Sequence, residues 1–334
     1  MSSTSSAVRA ERATVPELRL LPGGRAAQAD EREVFNGLRL VRTLAMLSIV
    51  GYHVSWQPVF GIAFGLTSLQ VIMCTLAARG TKPRPFLTVA RKRGLRLLVP
   101  WLAWSAVFVA FELGRALQAG SAPFGFFEDW MWTSGTSFHL WFLPFAFVAA
   151  LTVNVVHRTL RSAHDELQVA LLAATGVALL AATSDIKAWL QPTMPFDLWI
   201  DGAPTLAFGL ALGRSLGSAR RRRAVLVFGV ALASLVPWLL APSWLVPSEL
   251  YARYALAIPV VCAGLLVELP ERRWLTALAS MNLGVYLVHM LAIRVTDHVP
   301  GVASLEALPR TVIVYATCLL AVFLIRRMRV PYVV

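Results

Sequence analysis

Arg42 and His53 are the pair whose types and spacing are best suited to chemistry in this chain. Both stand in Leu38–Gln57, LRLVRTLAMLSIVGYHVSWQ, a stretch long and apolar enough to cross a bilayer, which takes about 20 residues. At ~100° and ~1.5 Å per residue, a helix puts the two side chains on one face, roughly 16 Å apart. Ionisable groups inside a span are costly, and they face a protein interior or a water-filled cavity. A His there can take a proton from a hydroxyl at neutral pH, because the unperturbed pKa of imidazole is about 6.5.

Further polar residues gather towards the same side of the membrane as His53. His139 opens the fourth apolar segment, in HLWFLP (His139–Pro144). Asn282, Tyr286 and His289 follow at spacings of four and three in the ninth, hence on one helix face. Asp197 and Asp201 open the sixth and share a face by the same rule. Taken singly, each also reads as an interfacial side chain or an interhelical hydrogen bond. On the opposite side, Arg93 and Arg96 in RKRGLRLLVPW (Arg91–Trp101) lie one helical turn apart. They read either as anchors beside the headgroups or as a phosphate clamp, since guanidinium groups bind phosphate bidentately. No serine occupies a Gly-x-Ser-x-Gly turn. Neither an HExxH nor a paired-Cys spacing occurs, so no metal centre is expected.

These residues need elements that hold them at depth, and the composition supplies them. The chain has 334 residues, 57% of them hydrophobic and 15% charged, with a mean hydropathy of +0.64. Soluble domains carry roughly 25% charged residues, so this is a membrane protein by composition. Ten apolar segments are predicted, near 38–57, 59–77, 97–113, 138–156, 167–183, 196–212, 224–241, 251–268, 275–295 and 309–325. The expected fold is all-α, a polytopic bundle of about ten transmembrane helices with both termini cytoplasmic.

The formal charge of +13 does not indicate nucleic-acid binding, because no basic face with interleaved aromatics appears. Instead the basic residues cluster in every second loop: Arg79 to Arg96, Arg158 and Arg161, Arg214 to Arg223, Arg272 and Arg273, then Arg326 to Arg329. That alternation is a positive-inside pattern. Arg253 and Arg294 break it, at the far ends of the eighth and ninth segments. Residues 1–35 have no apolar core of a signal peptide and read as a disordered basic cytoplasmic tail, with residues 36–330 forming the membrane domain. Trp130, Trp132, Trp141, Trp189, Trp199, Trp238 and Trp244 mostly mark an interfacial belt. Cys74, Cys262 and Cys318 sit in apolar runs as small buried hydrophobes. No internal repeat of the kind many transporters show is visible.

Four of these motifs together resemble the acyltransferase 3 family: the Arg42–His53 spacing, Arg93-x-x-Arg96 leading into LLVPW, HLWFLP, and SMNLGVYLVH at Ser280–His289. The resemblance runs from Leu38 to about Ile325. It implies an integral-membrane O-acyltransferase of the plasma membrane, with no tightly bound cofactor. The implied donor is acyl-coenzyme A, acetyl-CoA above all, and the implied acceptor is a hydroxyl of an extracytoplasmic glycan or related molecule. His53 would be catalytic, with His139 beside it, and Arg42, Arg93 and Arg96 would bind the donor. Asn282, Tyr286, His289 and Asp201 would lie on the acceptor side. One departure stands out. The family's second span carries a Ser-Gly pair, whereas this chain reads SLQVIMCTLAARG at Ser68–Gly80. The alternative class is a transporter or flippase that uses Arg42 and His53 as a substrate or proton relay.

Overall fold

Apolar runs with one polar face fold as helices, and among the described residues there are helices and turns with no strand. The computed structural model describes residues 22–54, 64–79, 85–160, 165–240 and 248–328. Among them lie α1 Pro22–His53, α2 Phe64–Ala78, α3 Phe86–Gln118, α4 Met131–Ser134, α5 Phe142–Thr159 and α6 Asp165–Leu190. The remainder are α7 Phe196–Gly202, α8 Pro204–Ser215, α9 Arg220–Leu240, α10 Ser248–Leu266, α11 Arg273–Asp297 and α12 Ala307–Arg327. A 3-10 turn, Phe138–Trp141, leads into α5. Each of the ten predicted segments falls on helix over most of its described residues. The first 21 residues, the start of the second segment, and Gly80, Lys82, Arg84, Arg161, Trp244 and Arg329 lie outside the described residues. The tail read over residues 1–35 overlaps α1 from Pro22 onward.

Seven of the described helices are long and apolar enough to cross a membrane. The others depart from a simple span in ways their sequences explain. Helix α1 carries Arg39 and Arg42. Helix α2 has 15 residues, about 22 Å of rise against a hydrocarbon thickness of ~30 Å. The sixth segment is two helices, because Pro204 opens α8 where its missing N–H costs nothing. Thr205 bridges the break by donating to the Gly202 carbonyl at 2.6 Å.

The spans fall into two kinds. Within their most apolar stretch, α5 and α11 are 61% and 56% buried, against 17% for α3 and 22% for α9 and α12. Exposed apolar side chains on α3, α9 and α12 are what a helix shows to lipid. Helices α5 and α11, with α1, are the interior. Helix α1 packs on α2, α10, α11 and α12, and α2 packs on α5, α8 and α10. One apolar core joins Met46, Ile49 and Val50 of α1 to Leu143, Val285 and Val314; the other joins Leu38 and Val41 to Phe208, Val227 and Ile258.

Close backbone approach makes the α2–α8 contact possible. Gly209 and Gly213 are four apart, one face of α8, and a Cβ on Gly213 would come within 2.6 Å of the Ala78 Cβ. This is the small-xxx-small packing that drives helix association where no hydrophobic effect operates. Gly264 on α10 does the same against α1, where an added Cβ would lie 2.6 Å from a Val41 methyl.

The polar residues sort to two ends. At one end, Arg42 reaches the Ala279 carbonyl, Arg326 of α12 donates to the Ser280 hydroxyl, and Asn36 donates to the Leu269 carbonyl. At the other end stand His53, His139 and His289. The two arginines that break the basic alternation have carboxylate partners there. Arg253 pairs with Glu249, and Arg294 on α11 pairs with Glu112 on α3 at 2.6 Å. Local pairing makes a cation tolerable at a span end. Of the tryptophans, Trp132, Trp189 and Trp238 are exposed as a belt requires, but Trp141 is a core residue at 4% exposure. The three cysteines are free and buried.

Candidate active site

Two helices and a turn bring three imidazoles together. His53 is the last residue of α1, His139 lies in the 3-10 turn, and His289 lies midway along α11. The ring of His289 is 5.0 Å from that of His53 and 4.8 Å from that of His139, centre to centre. His139 and His289 are buried, at 3% and 0% exposure; His53 is half-buried.

Their hydrogen bonds separate their roles. In His289, Nδ1 is 2.6 Å from the Tyr286 carbonyl. A carbonyl only accepts, so Nδ1 carries the proton and Nε2 keeps a lone pair. That Nε2 is buried with no hydrogen-bond partner among the described residues. In His139 both nitrogens are engaged. Nε2 faces the Leu287 carbonyl at 3.4 Å, and Nδ1 faces the Ser137 hydroxyl at 3.0 Å. The same carbonyl logic makes Nε2 the donor and Nδ1 the acceptor. His139, expected to be catalytic, thus has both ring nitrogens turned to protein partners and its ring against that of His289. Tyr286 fixes the same turn from α11 by donating its hydroxyl to the His139 carbonyl, and its ring stacks edge-on against Phe142 at 5.3 Å.

What aims His139 was not visible as a motif. Helix α4 ends at Gly135, with φ 86° and ψ 167°, a conformation essentially confined to glycine. The chain there is stitched to α3 by two hydrogen bonds. Trp101 Nε1 donates to the Ser134 carbonyl at 3.0 Å, and the Thr136 hydroxyl donates to the Ser105 carbonyl at 2.6 Å. Phe108, one turn on from Ser105, meets the His139 ring at 5.4 Å. The LLVPW run therefore does more than follow the arginines, since its Trp101 holds the histidine turn. The signal in the sequence was the lone glycine in TSGTSFH, Thr133–His139.

At the other end Arg42 is half-buried, and its guanidinium lies 3.4 Å from the Ala279 carbonyl. Arg96 of α3 and Arg39 are the cations near enough to act on it. No ion pair among the described residues involves Arg42 or Arg96. Like charges gathered without carboxylates mark a place for an anion. Arg93 takes another direction. It lines a small pocket of 70 Å³ with Arg79, Lys92, Asn154 and His157 between α2, α3 and α5. The Arg-x-x-Arg pair thus serves two neighbouring surfaces, because a step of three residues turns the helix by ~60° off alignment.

Helix α11 runs parallel to α1, with Ala279 beside Arg42 and His289 beside His53. Asn282 lies between these levels and is 2% exposed. Asp201 is elsewhere: Lys187 holds its carboxylate at 3.1 Å through both oxygens, and Tyr254 donates to its backbone carbonyl. None of the described contacts joins Asp201 to the imidazoles. Among the described residues, no group of three His, Cys, Asp or Glu side chains has the geometry to hold a metal ion.

Apolar helices around an interior of polar residues define a multi-pass membrane protein. A family model described as an acyltransferase domain, acyltransferase 3, matches residues 35–327, and the chain belongs to that family. The match spans α3, α5 and α11, the elements that carry the site, and nearly all of the chain. Comparison with curated proteins and with solved structures gives no match. Membership indicates an acyltransferase, the first of the two classes left open by the sequence.

Proposed function

We propose that the protein moves an acyl group, acetyl in the first place, from cytoplasmic acyl-coenzyme A to a hydroxyl of an extracytoplasmic glycan or related acceptor. The observation that carries this reading is the polarity of the α1–α11 pair. Guanidinium groups without carboxylates lie at one end. A histidine pair with an open nitrogen lies at the other, roughly 16 Å along α1. The span suits a donor whose phosphates rest on Arg42 and Arg96 while its thioester reaches His53. Arg93 and its basic pocket would take a further phosphate. The basic alternation of the loops supports ten spans in the plasma membrane, both termini inside.

In the step itself, His53 takes the proton of the acceptor hydroxyl. The oxygen attacks the thioester carbonyl, the C–S bond breaks, and the leaving thiolate takes the proton back from the imidazolium. His289 presents its Nε2 lone pair beside this centre and orients the acceptor, while His139 and Tyr286 keep His289 in place. The acceptor would approach past α3 and α11, where a hollow of 910 Å³ is lined by Phe111, Arg115, Gln118 and Arg294.

The test is consumption of acetyl-CoA by the purified protein in detergent, where no gradient can drive transport. General-base catalysis contributes about 10²–10⁴-fold, so His53→Ala should lose at least two orders of magnitude in turnover while still binding donor. Near-native turnover in His53→Gln would exclude His53 as the base.

A further inference from the structure

Asn282 carries a buried side-chain amide. Both its Nδ2 and its Oδ1 lack a hydrogen-bond partner among the described residues, at 2% exposure. A buried amide left unmade costs about 1–3 kcal/mol per group, and such groups in native proteins call for an explanation. Its position supplies one. Asn282 is three residues beyond Ala279, whose carbonyl meets Arg42, and seven before His289, whose ring meets that of His53. Seven residues bring a helix back to within ~20° of the same face. Asn282 therefore lies on the face of α11 that carries His289, between the arginine end and the histidine end.

We infer that Asn282 is a binding site for a secondary amide of the donor's pantetheine arm, an inference that rests on the donor reading above. Nδ2–H would donate to the amide carbonyl and Oδ1 would accept the amide N–H, which satisfies both orphan groups at once. The spacing selects which amide. Asn282 lies ~10.5 Å from His289 along the axis. An extended chain advances roughly 1.2 Å per bond. The amide nearer the thioester begins four bonds from the thioester carbon, about 5 Å away. The farther amide begins eight bonds away, about 10 Å, and matches the level of Asn282. This moves Asn282 from the acceptor side, where its neighbours in sequence suggested it, to the donor side. The residue is a check on the carrier, since a thioester without that amide leaves Asn282 unbonded.

Two donors separate the alternatives. S-Acetylpantetheine carries both amides, and S-acetyl-N-acetylcysteamine carries only the nearer one. With Asn282→Ala and the near-isosteric Asn282→Leu, acetyl-CoA and S-acetylpantetheine should lose at least tenfold in kcat/KM. The ratio between the long and the short donor should collapse by the same factor. The melting temperature of donor-free Asn282→Leu should equal or exceed that of the native protein, because two unbonded polar atoms are gone. An affinity for acetyl-CoA within twofold of native in both variants overturns the inference. So does an equal loss with the long and short donors, which would put Asn282 at the reacting centre. If the native protein neither binds nor consumes acetyl-CoA, the donor reading itself fails and takes this one with it.

Discussion

Replacing Gly135 by alanine tests whether the turn that carries His139 is held as described. The residue sits at φ 86° and ψ 167°, where a side chain costs about 1–3 kcal/mol. The new methyl would also fall 2.6 Å from Ser105 Oγ and 2.8 Å from Trp101 Nε1. Something must move, and the Trp101 hydrogen bond to Ser134 is the nearest thing to lose, worth about 0.5–1.5 kcal/mol. The sum, about 1.5–4.5 kcal/mol, exceeds the ~1.4 kcal/mol that changes a population tenfold. Gly135→Ala should therefore lower the melting temperature in detergent and cut turnover by at least tenfold, with acetyl-CoA affinity close to native, because the arginine end is not touched. Ser105→Ala alone should be near-native, since Ser105 Oγ has no hydrogen-bond partner among the described residues. Combined with Gly135→Ala it should restore part of the loss, by removing the closest steric contact while leaving the backbone strain. Native turnover and melting in Gly135→Ala would refute the account of how His139 is aimed. A parallel loss of donor binding would show a global defect in place of a local one.

Three further outcomes are expected. Arg96→Ala and Arg42→Ala should each weaken acetyl-CoA binding roughly tenfold or more, as a charge-assisted contact is worth about 1.5–3 kcal/mol; in a titration series Arg93→Ala should add to Arg96→Ala nearly independently, because the two line separate surfaces. Gly213→Leu should abolish folding as judged by size-exclusion profile and yield, since its side chain would collide with the Ala78 Cβ and the Thr75 carbonyl, whereas Gly229→Leu, with open space around it, should behave as native. Reporter fusions should place the Arg220–Arg223 loop in the cytoplasm, and an external signal there would overturn the ten-span orientation.

Local rules carried a good deal of this. An apolar run in lipid satisfies its own backbone as a helix, so the all-helical membrane class was legible from composition. The Arg42–His53 register needed nothing but the pitch of one helix. The four-and-three spacing of Asn282, Tyr286 and His289 likewise put them on one face.

The rest depends on residues distant in sequence. No local pattern tells that α1 and α11 run side by side, so the sequence offered His289 only as one of several residues His53 could meet, and packing chose it. Nor does it tell that Glu112 stands opposite Arg294, which explains a cation that topology alone left unexplained. The division between Arg93 and Arg96 came from which neighbour each meets. The roles of the histidines came from partners, because an imidazole nitrogen is a donor or an acceptor only according to what faces it. Spacing fixes the angle of a side chain on its own helix. What that side chain touches is decided by packing, which here turns on the glycines that let helices approach and on the turn at Gly135.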